Sequence, residues 1–116
     1  MQIEERTVGG VTILDVKGKL TLGDGDTVLK DKIHSLLNQG RKHFLLNLGD
    51  VPYIDSAGIG EVVSTFSTVS RGGGSLKLLN LTKRIHDLLA ITKLLTVFET
   101  FSAEADAVRS FSSAAV

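Results

Sequence analysis

The sequence contains no cysteine, a single proline and only six aromatic residues. The absence of cysteine excludes a disulfide framework, a thiolate metal site and a thiol nucleophile. The 13 basic and 13 acidic residues give a formal net charge of zero, so no overall positive field favours nucleic acid or an anionic membrane surface. With so few aromatic side chains, no stacking platform for single-stranded nucleic acid is visible either. A partner must therefore be recognised by a local surface.

Long apolar runs are also missing. No segment approaches the length needed to cross a bilayer, and the first residues, MQIEERTVGG, lack the basic start and apolar run of a leader peptide. We therefore expect a cytoplasmic protein with no membrane association and no cofactor. The length of 116 residues, with 42% hydrophobic and 22% charged residues, predicts one folded domain over residues 1–112. Residues 113–116 are expected to form a frayed tail.

Hydrophobic periodicity predicts nine elements in the order β-β-α-β-α-β-α-β-α. Gly9 and Gly10 separate the first two β-branched runs and can supply the positive φ angles of a tight hairpin turn. The later strand-helix units favour parallel neighbours with helices packed on the sheet. The predicted fold is α/β, a mixed sheet with an antiparallel N-terminal hairpin. The strands are expected at 3–8, 11–16, 43–48, 76–81 and 96–101.

Residues of particular types also mark the expected helix boundaries. The N-cap residues of the four helices are predicted at Gly25 or Asp26, Asp55-Ser56, Thr82 and Ser102, and the first two helices are predicted to end at Gly40 and Gly72–Gly74. The second helix is the most regular segment, because its apolar residues recur at i, i+3, i+4 and i+7.

The stretch YIDSAGIGEVV, residues 53–63, joins the central strand to this second helix. Asp55 or Ser56 can serve as an ordinary N-cap, but no Glu or Gln follows three residues later to complete a capping box. Gly58 and Gly60 each cost roughly 0.8 to 1 kcal/mol in a helix relative to alanine. Such an open helix start, with free N–H groups, can accommodate a partner's backbone or a phosphate on Ser56.

Other chemistries fit these residues poorly. A nucleophile elbow requires glycine where Ile54 stands, and a P-loop requires lysine where Glu61 stands. The three histidines lie in separate elements without metal-ligand spacing, and the segment LGDGD lacks the ligand pattern of a calcium loop. We therefore predict that the protein is not an enzyme and holds no metal.

The sequence resembles the STAS domains and, within them, the stand-alone anti-sigma factor antagonists of bacteria. The central hallmark is D-S-x-G-[IL]-G between a strand and a helix, which Asp55 to Gly60 match at every position. The resemblance covers almost the whole chain and rests on four segments: VKGKL, FLLNLGDVPYIDSAGIGEVV, GGGSLKLLNL and ITKLLTVFETF. It implies the same mixed α/β fold.

The resemblance also implies a function. In such antagonists the motif serine, here Ser56, is phosphorylated by a partner serine kinase that is also the anti-sigma factor. The unphosphorylated form binds this kinase and frees a sigma factor for transcription, phosphorylation ends the binding, and a metal-dependent protein phosphatase restores it. By the same resemblance, Ile59 points to the core, and the partner-binding residues are Asp55, Ser56, Ala57, Gly58 and Gly60. The protein is expected to be a monomer or weak homodimer.

The sequence departs from the family pattern near the end of the central strand, and a second hypothesis is retained. The family commonly has an aspartate near the end of the central strand where this chain has Asn47. The alternative hypothesis is a STAS-like scaffold or small-ligand-binding subunit of a signalling or transport assembly, in which Ser56 is only a helix cap.

Overall fold

A computed structural model describes residues 1–113, so residues 114–116 of the predicted tail lie outside the described residues, while Ser113 is the last residue of the final helix. The element order agrees with the prediction. The strands and helices are β1 Gln2–Val8, β2 Val11–Lys17, α1 Gly25–Asn38, β3 His43–Asp50, α2 Ser56–Arg71, β4 Ser75–Leu79, α3 Lys83–Ile91, β5 Thr100–Phe101 and α4 Glu104–Ser113.

The five strands form one mixed sheet in the order β1-β2-β3-β4-β5. β1 and β2 are antiparallel, and Gly9 and Gly10 of their turn have φ angles of +56° and +80°, as a tight hairpin turn of this kind requires. The other neighbouring strands are parallel. The predicted mixed sheet with an antiparallel edge is therefore confirmed.

Each face of the sheet has its own apolar core. Alternate strand residues such as Leu14 and Phe44 pack with α1, α2 and α3 on one face. Their neighbours Ile13 and Leu45 pack against α4 on the other face. The near-continuous apolar sequence of β3 follows from this double cover, since both sets of its side chains are buried. No helix within residues 1–113 combines the length and apolar character that spanning a membrane requires.

Glycine ends the first two helices, as predicted. After α1, the N–H of Gly40 donates to the carbonyl of Leu37, and the N–H of Arg41 donates to that of Leu36. Gly40 has a φ of +87°, so this is the paired hydrogen-bond arrangement typical of a glycine-terminated helix. Gly73, with a φ of +83°, takes the same place after α2.

Some predicted boundaries were wrong. Asp24, rather than Gly25 or Asp26, precedes α1, because the carboxylate of Asp26 accepts from the N–H of Gly23 in the preceding turn at 2.9 Å. α4 begins at Glu104, two residues after Ser102. By contrast, Thr82 caps α3 as predicted, accepting from the N–H of Ile85 at 3.2 Å.

The last two strands are shorter than predicted. β4 ends at Leu79 because Asn80 takes a left-handed conformation with a φ of +59°. The strand predicted over 96–101 contains only Thr100 and Phe101, since the N–H of Val97 closes a turn onto the carbonyl of Leu94. The turn serves packing, because Phe98 is buried edge-on against the ring of Phe66, with centroids 5.0 Å apart.

Candidate functional site

The candidate site lies at the start of α2, where the chain leaves β3. Asp55 is the N-cap residue, with an extended backbone (φ −108°, ψ −175°), and its Oδ1 accepts from the N–H of Gly58 at 2.9 Å. Ser56 is the first residue of the helix itself. The suggestion that Ser56 is only a helix cap is therefore wrong, because Asp55 already fills that role.

The second carboxylate oxygen of Asp55 binds a different part of the chain. Its Oδ2 accepts from the N–H of Leu22, in the loop between β2 and α1, at 3.1 Å. Leu20 in the same loop forms an isolated parallel bridge with Ile54, and its N–H donates to the carbonyl of Tyr53 at 3.0 Å. Residues 20–22 and the start of α2 are thus held together as one structural unit.

Leu22 is a surface residue that the sequence analysis missed. Its side chain is 76% exposed, although its backbone is fixed by Asp55. The Leu22 backbone therefore has a defined position next to Asp55, while its side chain faces solvent. No local pattern marks it, because the bond that fixes it joins residues 33 positions apart.

The two N–H donors set the charge state of Asp55. The bond from Gly58 and then that from Leu22 stabilise the carboxylate and hold its pKa below the ordinary value of 3.8. A carboxylate with a lowered folded-state pKa contributes stability above the unfolded-state pKa, and this contribution is lost as pH falls through the folded-state pKa. At neutral pH Asp55 therefore carries a full negative charge directly before Ser56.

A pH titration followed by NMR tests this arrangement. We expect the amide signals of Leu22 and Gly58 to shift together, with one midpoint below 3.8, since both N–H groups bind the Asp55 carboxylate. In Asp55→Asn the shared titration should vanish, and the stability difference from wild type should shrink as pH falls toward the midpoint. Separate midpoints for the two amides would contradict the bridge.

The two glycines of the motif have different surroundings. A Cβ on Gly58 would lie 2.0 Å from the carbonyl oxygen of Leu20 and 2.7 Å from the Ile54 side chain. The idea that Gly58 keeps the helix start open for a partner is therefore wrong, since this glycine is buried and allows an internal close approach. Gly60 is exposed, and a Cβ there would meet nothing within 4 Å. Only Gly60 leaves room on the outer surface.

The remaining motif residues divide between surface and core. Ser56 is exposed and Ala57 is half-buried, whereas Ile59 is only 8% exposed and packs in the core below the helix, as predicted. Among residues 1–113, no side-chain hydrogen bond engages the hydroxyl of Ser56. Its Oγ is thus accessible to a modifying enzyme, while the neighbouring Asp55 holds the backbone in place.

An apolar groove of about 640 Å³ opens beside Ser56, between the start of α2 and α3. Arg84, on α3, stands at the groove with its guanidinium carbon 4.4 Å from the centroid of the Tyr53 ring. The groove is lined by Tyr53, Ile54, Asp55, Ser56, Ile59, Gly60, Val63, Arg84, Leu88, Thr92 and Leu94. No sequence pattern connects Arg84 with Ser56, because the two residues come together only where α3 packs beside the start of α2.

Asn47 lies on β3 next to Asp15 of β2. Its Nδ2 donates to the Asp15 Oδ1 at 2.9 Å, and its Oδ1 accepts from the N–H of Gly49 and the Nδ2 of Asn80, both at 3.2 Å. Arg6, and after it Asn47, hold the pKa of Asp15 below its ordinary value. Asp15 already supplies a carboxylate here, which explains why an amide suits position 47.

Asn47→Asp is accordingly expected to destabilise the protein by about 1–3 kcal/mol at pH 7, because a second carboxylate would face Asp15 without a donor between them. Chemical denaturation at pH 7 and near pH 4 measures the effect, which should shrink when one carboxylate becomes protonated. The swapped double variant Asp15→Asn/Asn47→Asp restores an amide-carboxylate pair and should recover part of the loss. Equal stability of Asn47→Asp and wild type would contradict this account.

The amino-acid sequence is similar to one protein family and to several bacterial proteins. A family sequence model described as "STAS domain" matches residues 2–107. The anti-sigma-B factor antagonist of Bacillus subtilis is 43% identical over 72 residues, which are 62% of this chain and just under two thirds (65%) of that relative. The anti-sigma F factor antagonist of Paenibacillus polymyxa is 23% identical over 93% of this chain and 92% of its own.

Solved structures show the same fold. The crystal structure of a candidate anti-sigma factor antagonist from Thermotoga maritima superimposes with a TM-score of 0.87, covering 94% of this chain and 93% of that one. The two sequences are 24% identical, so this similarity concerns the fold.

Proposed function

The chain belongs to the STAS domain family, and from this premise we propose that it is an anti-sigma factor antagonist that works by partner switching through Ser56. The observation that carries the proposal is the free, exposed hydroxyl of Ser56 at the first residue of α2, with the capping role taken by Asp55. The names of the Bacillus and Paenibacillus relatives support it.

The unphosphorylated protein presents a surface suited to a protein partner. Ser56 and Gly60 are exposed on α2, the exposed Leu22 has its backbone N–H bound to Asp55, and Tyr53 is 42% exposed at the apolar groove. Apolar and aromatic groups surrounded by a few polar ones are the usual composition of an interface core. The partner we propose is an anti-sigma factor that is also a serine kinase, and binding it would release the sigma factor it holds.

Phosphorylation ends the association by adding charge at the centre of this surface. The kinase transfers the γ-phosphoryl group of ATP to the Ser56 Oγ, which loses its proton, and ADP leaves. The phosphate adds about 1.5 to 2 negative charges at pH 7. It stands next to the ionised carboxylate of Asp55, so the modified surface combines like-charge repulsion with a desolvation cost on binding. A metal-dependent phosphatase would restore the serine by hydrolysis, releasing inorganic phosphate.

In this scheme the chain acts by binding and performs no catalysis itself. It works in the cytoplasm, where the kinase, the phosphatase and the sigma factor are found. It acts there as a monomer or weak homodimer and makes no direct contact with nucleic acid. The alternative role as a scaffold or ligand-binding subunit differs in one respect that is easily measured, since it requires no phosphate on Ser56.

The test is phosphorylation of the purified protein by the anti-sigma kinase of the same organism. After incubation with ATP, intact mass should show one added phosphate and peptide fragmentation should assign it to Ser56. Ser56→Ala should remain unmodified under the same conditions, and Ser64→Ala, which removes another exposed serine of α2, should be modified like wild type. Phosphate on another residue, or none at all, would refute partner switching through Ser56.

A further inference from the structure

Arg84 is the one basic residue among the described residues that line the groove beside Ser56. Both residues line the same groove, and the guanidinium of Arg84 already rests 4.4 Å from the ring of Tyr53, three residues before Ser56. Three residues of extended chain span at most about 11 Å, which limits the distance between the backbones of Tyr53 and Ser56. A long arginine side chain at the Tyr53 ring therefore lies in the neighbourhood of Ser56, on the groove that both residues line.

The present contacts of Arg84 leave it available. Among residues 1–113 no ion pair involves Arg84. Its guanidinium lies over the face of the Tyr53 ring. Its neighbour Lys83, by contrast, pairs with Asp87 at 3.0 Å one turn further along α3. An exposed cation-ring contact is weak, about 0.5–1 kcal/mol, whereas hydrogen bonds from a guanidinium to phosphate oxygens are charge-assisted and bidentate.

We propose that Arg84 is an intramolecular phosphoserine ligand, which leaves the Tyr53 ring and binds the phosphate when Ser56 is modified. The inference rests on the proposed phosphorylation of Ser56 and extends it. The contact would balance the repulsion between the phosphate and Asp55, stabilising the phosphorylated form. It would also place the guanidinium across the mouth of the groove, covering apolar surface that a partner would otherwise contact.

The experiment uses protein with phosphoserine placed at position 56 during translation, so that it does not depend on any kinase. The second ionisation of phosphoserine has a pKa of about 6, and a bound guanidinium should lower it by at least about half a unit. Phosphorus NMR titration of wild type, Arg84→Gln and Lys83→Gln measures this directly. Asp55, the carboxylate adjacent to the phosphate, is unchanged in all three proteins.

We expect the phosphate of Arg84→Gln to have the higher pKa, with Lys83→Gln matching wild type. Proton NMR of Tyr53, the sole tyrosine of the chain, gives a second readout. Phosphorylation should shift its ring signals toward those of unphosphorylated Arg84→Gln, because the guanidinium leaves the ring in both cases.

Equal phosphate pKa values in wild type and Arg84→Gln, or the same change in Lys83→Gln, would overturn the assignment. Failure of the kinase to modify Ser56 would refute the proposed function without altering this titration, so the two results remain distinguishable.

Discussion

Ser56→Asp is expected to weaken binding to the anti-sigma kinase by at least about tenfold, whereas Ser56→Ala should bind as tightly as wild type and stay bound in the presence of ATP. A tenfold loss requires only about 1.4 kcal/mol, which one uncompensated charge in a desolvated interface readily supplies. The aspartate would stand at the first residue of α2, directly after the ionised Asp55. Titration calorimetry with and without ATP measures both effects.

The matched control places the same charge elsewhere on the same helix. Ser67 is exposed on α2, eleven residues after Ser56 and therefore about 16 Å along the helix axis. Ser67→Asp should bind the kinase like wild type if the effect belongs to the helix start. If Ser56→Asp and Ser67→Asp weaken binding equally, the repulsion comes from net charge, and Ser56 has no special place in the interface.

Much of this molecule could be predicted from local sequence signals. The paired glycines at 9 and 10 specify the hairpin, Gly40 specifies the end of α1, and Thr82 caps α3, because each acts on residues within one turn of the chain. The motif from Asp55 to Gly60 marked the candidate site for the same reason. A nearly continuous apolar run was enough to place the central strand, and helical periodicity was enough to place α2.

The contacts of the candidate site that the sequence did not reveal share a different cause. The role of Gly58 depends on the carbonyl of Leu20, and the bond that fixes Leu22 comes from Asp55, so each involves residues more than 30 positions apart. Arg84 and Tyr53 are also more than 30 positions apart, and they meet because α3 packs beside the start of α2. No periodic pattern records such pairings. Local sequence signals mark the candidate site, and the tertiary contacts show which groups each of its residues meets.

These contacts give the residues of the motif different structural roles. Asp55 satisfies the helix N–H of Gly58 and ties down the Leu22 loop, and Gly58 permits the close packing that brings the loop and helix together. Within residues 1–113, the Ser56 hydroxyl accordingly takes part in no side-chain hydrogen bond. A side chain that makes no structural hydrogen bond can be modified without unfolding the domain. A reversible switch requires such a side chain.

Gly58→Ala is expected to destabilise the protein by about 2–3 kcal/mol, because its Cβ would lie 2.0 Å from a backbone oxygen that cannot move independently. A domain of this size loses about 4 °C of melting temperature for each kcal/mol, so thermal unfolding should show a clear decrease. The amide signals of Leu22 should also shift, since the loop must move away from α2.

Gly60→Ala is the matched control, and it separates stability from binding. A Cβ at this position meets nothing within 4 Å, so the substitution should raise stability by about 0.4–1 kcal/mol through helix propensity alone. The helix would then be improved, yet we expect weaker kinase binding, because the added methyl group projects into the exposed surface beside Ser56. A Gly60→Ala protein that is more stable and binds the kinase unchanged would remove Gly60 from the interface. A protein that gains stability and loses affinity would show that this glycine is kept for its partner, at the expense of its own helix.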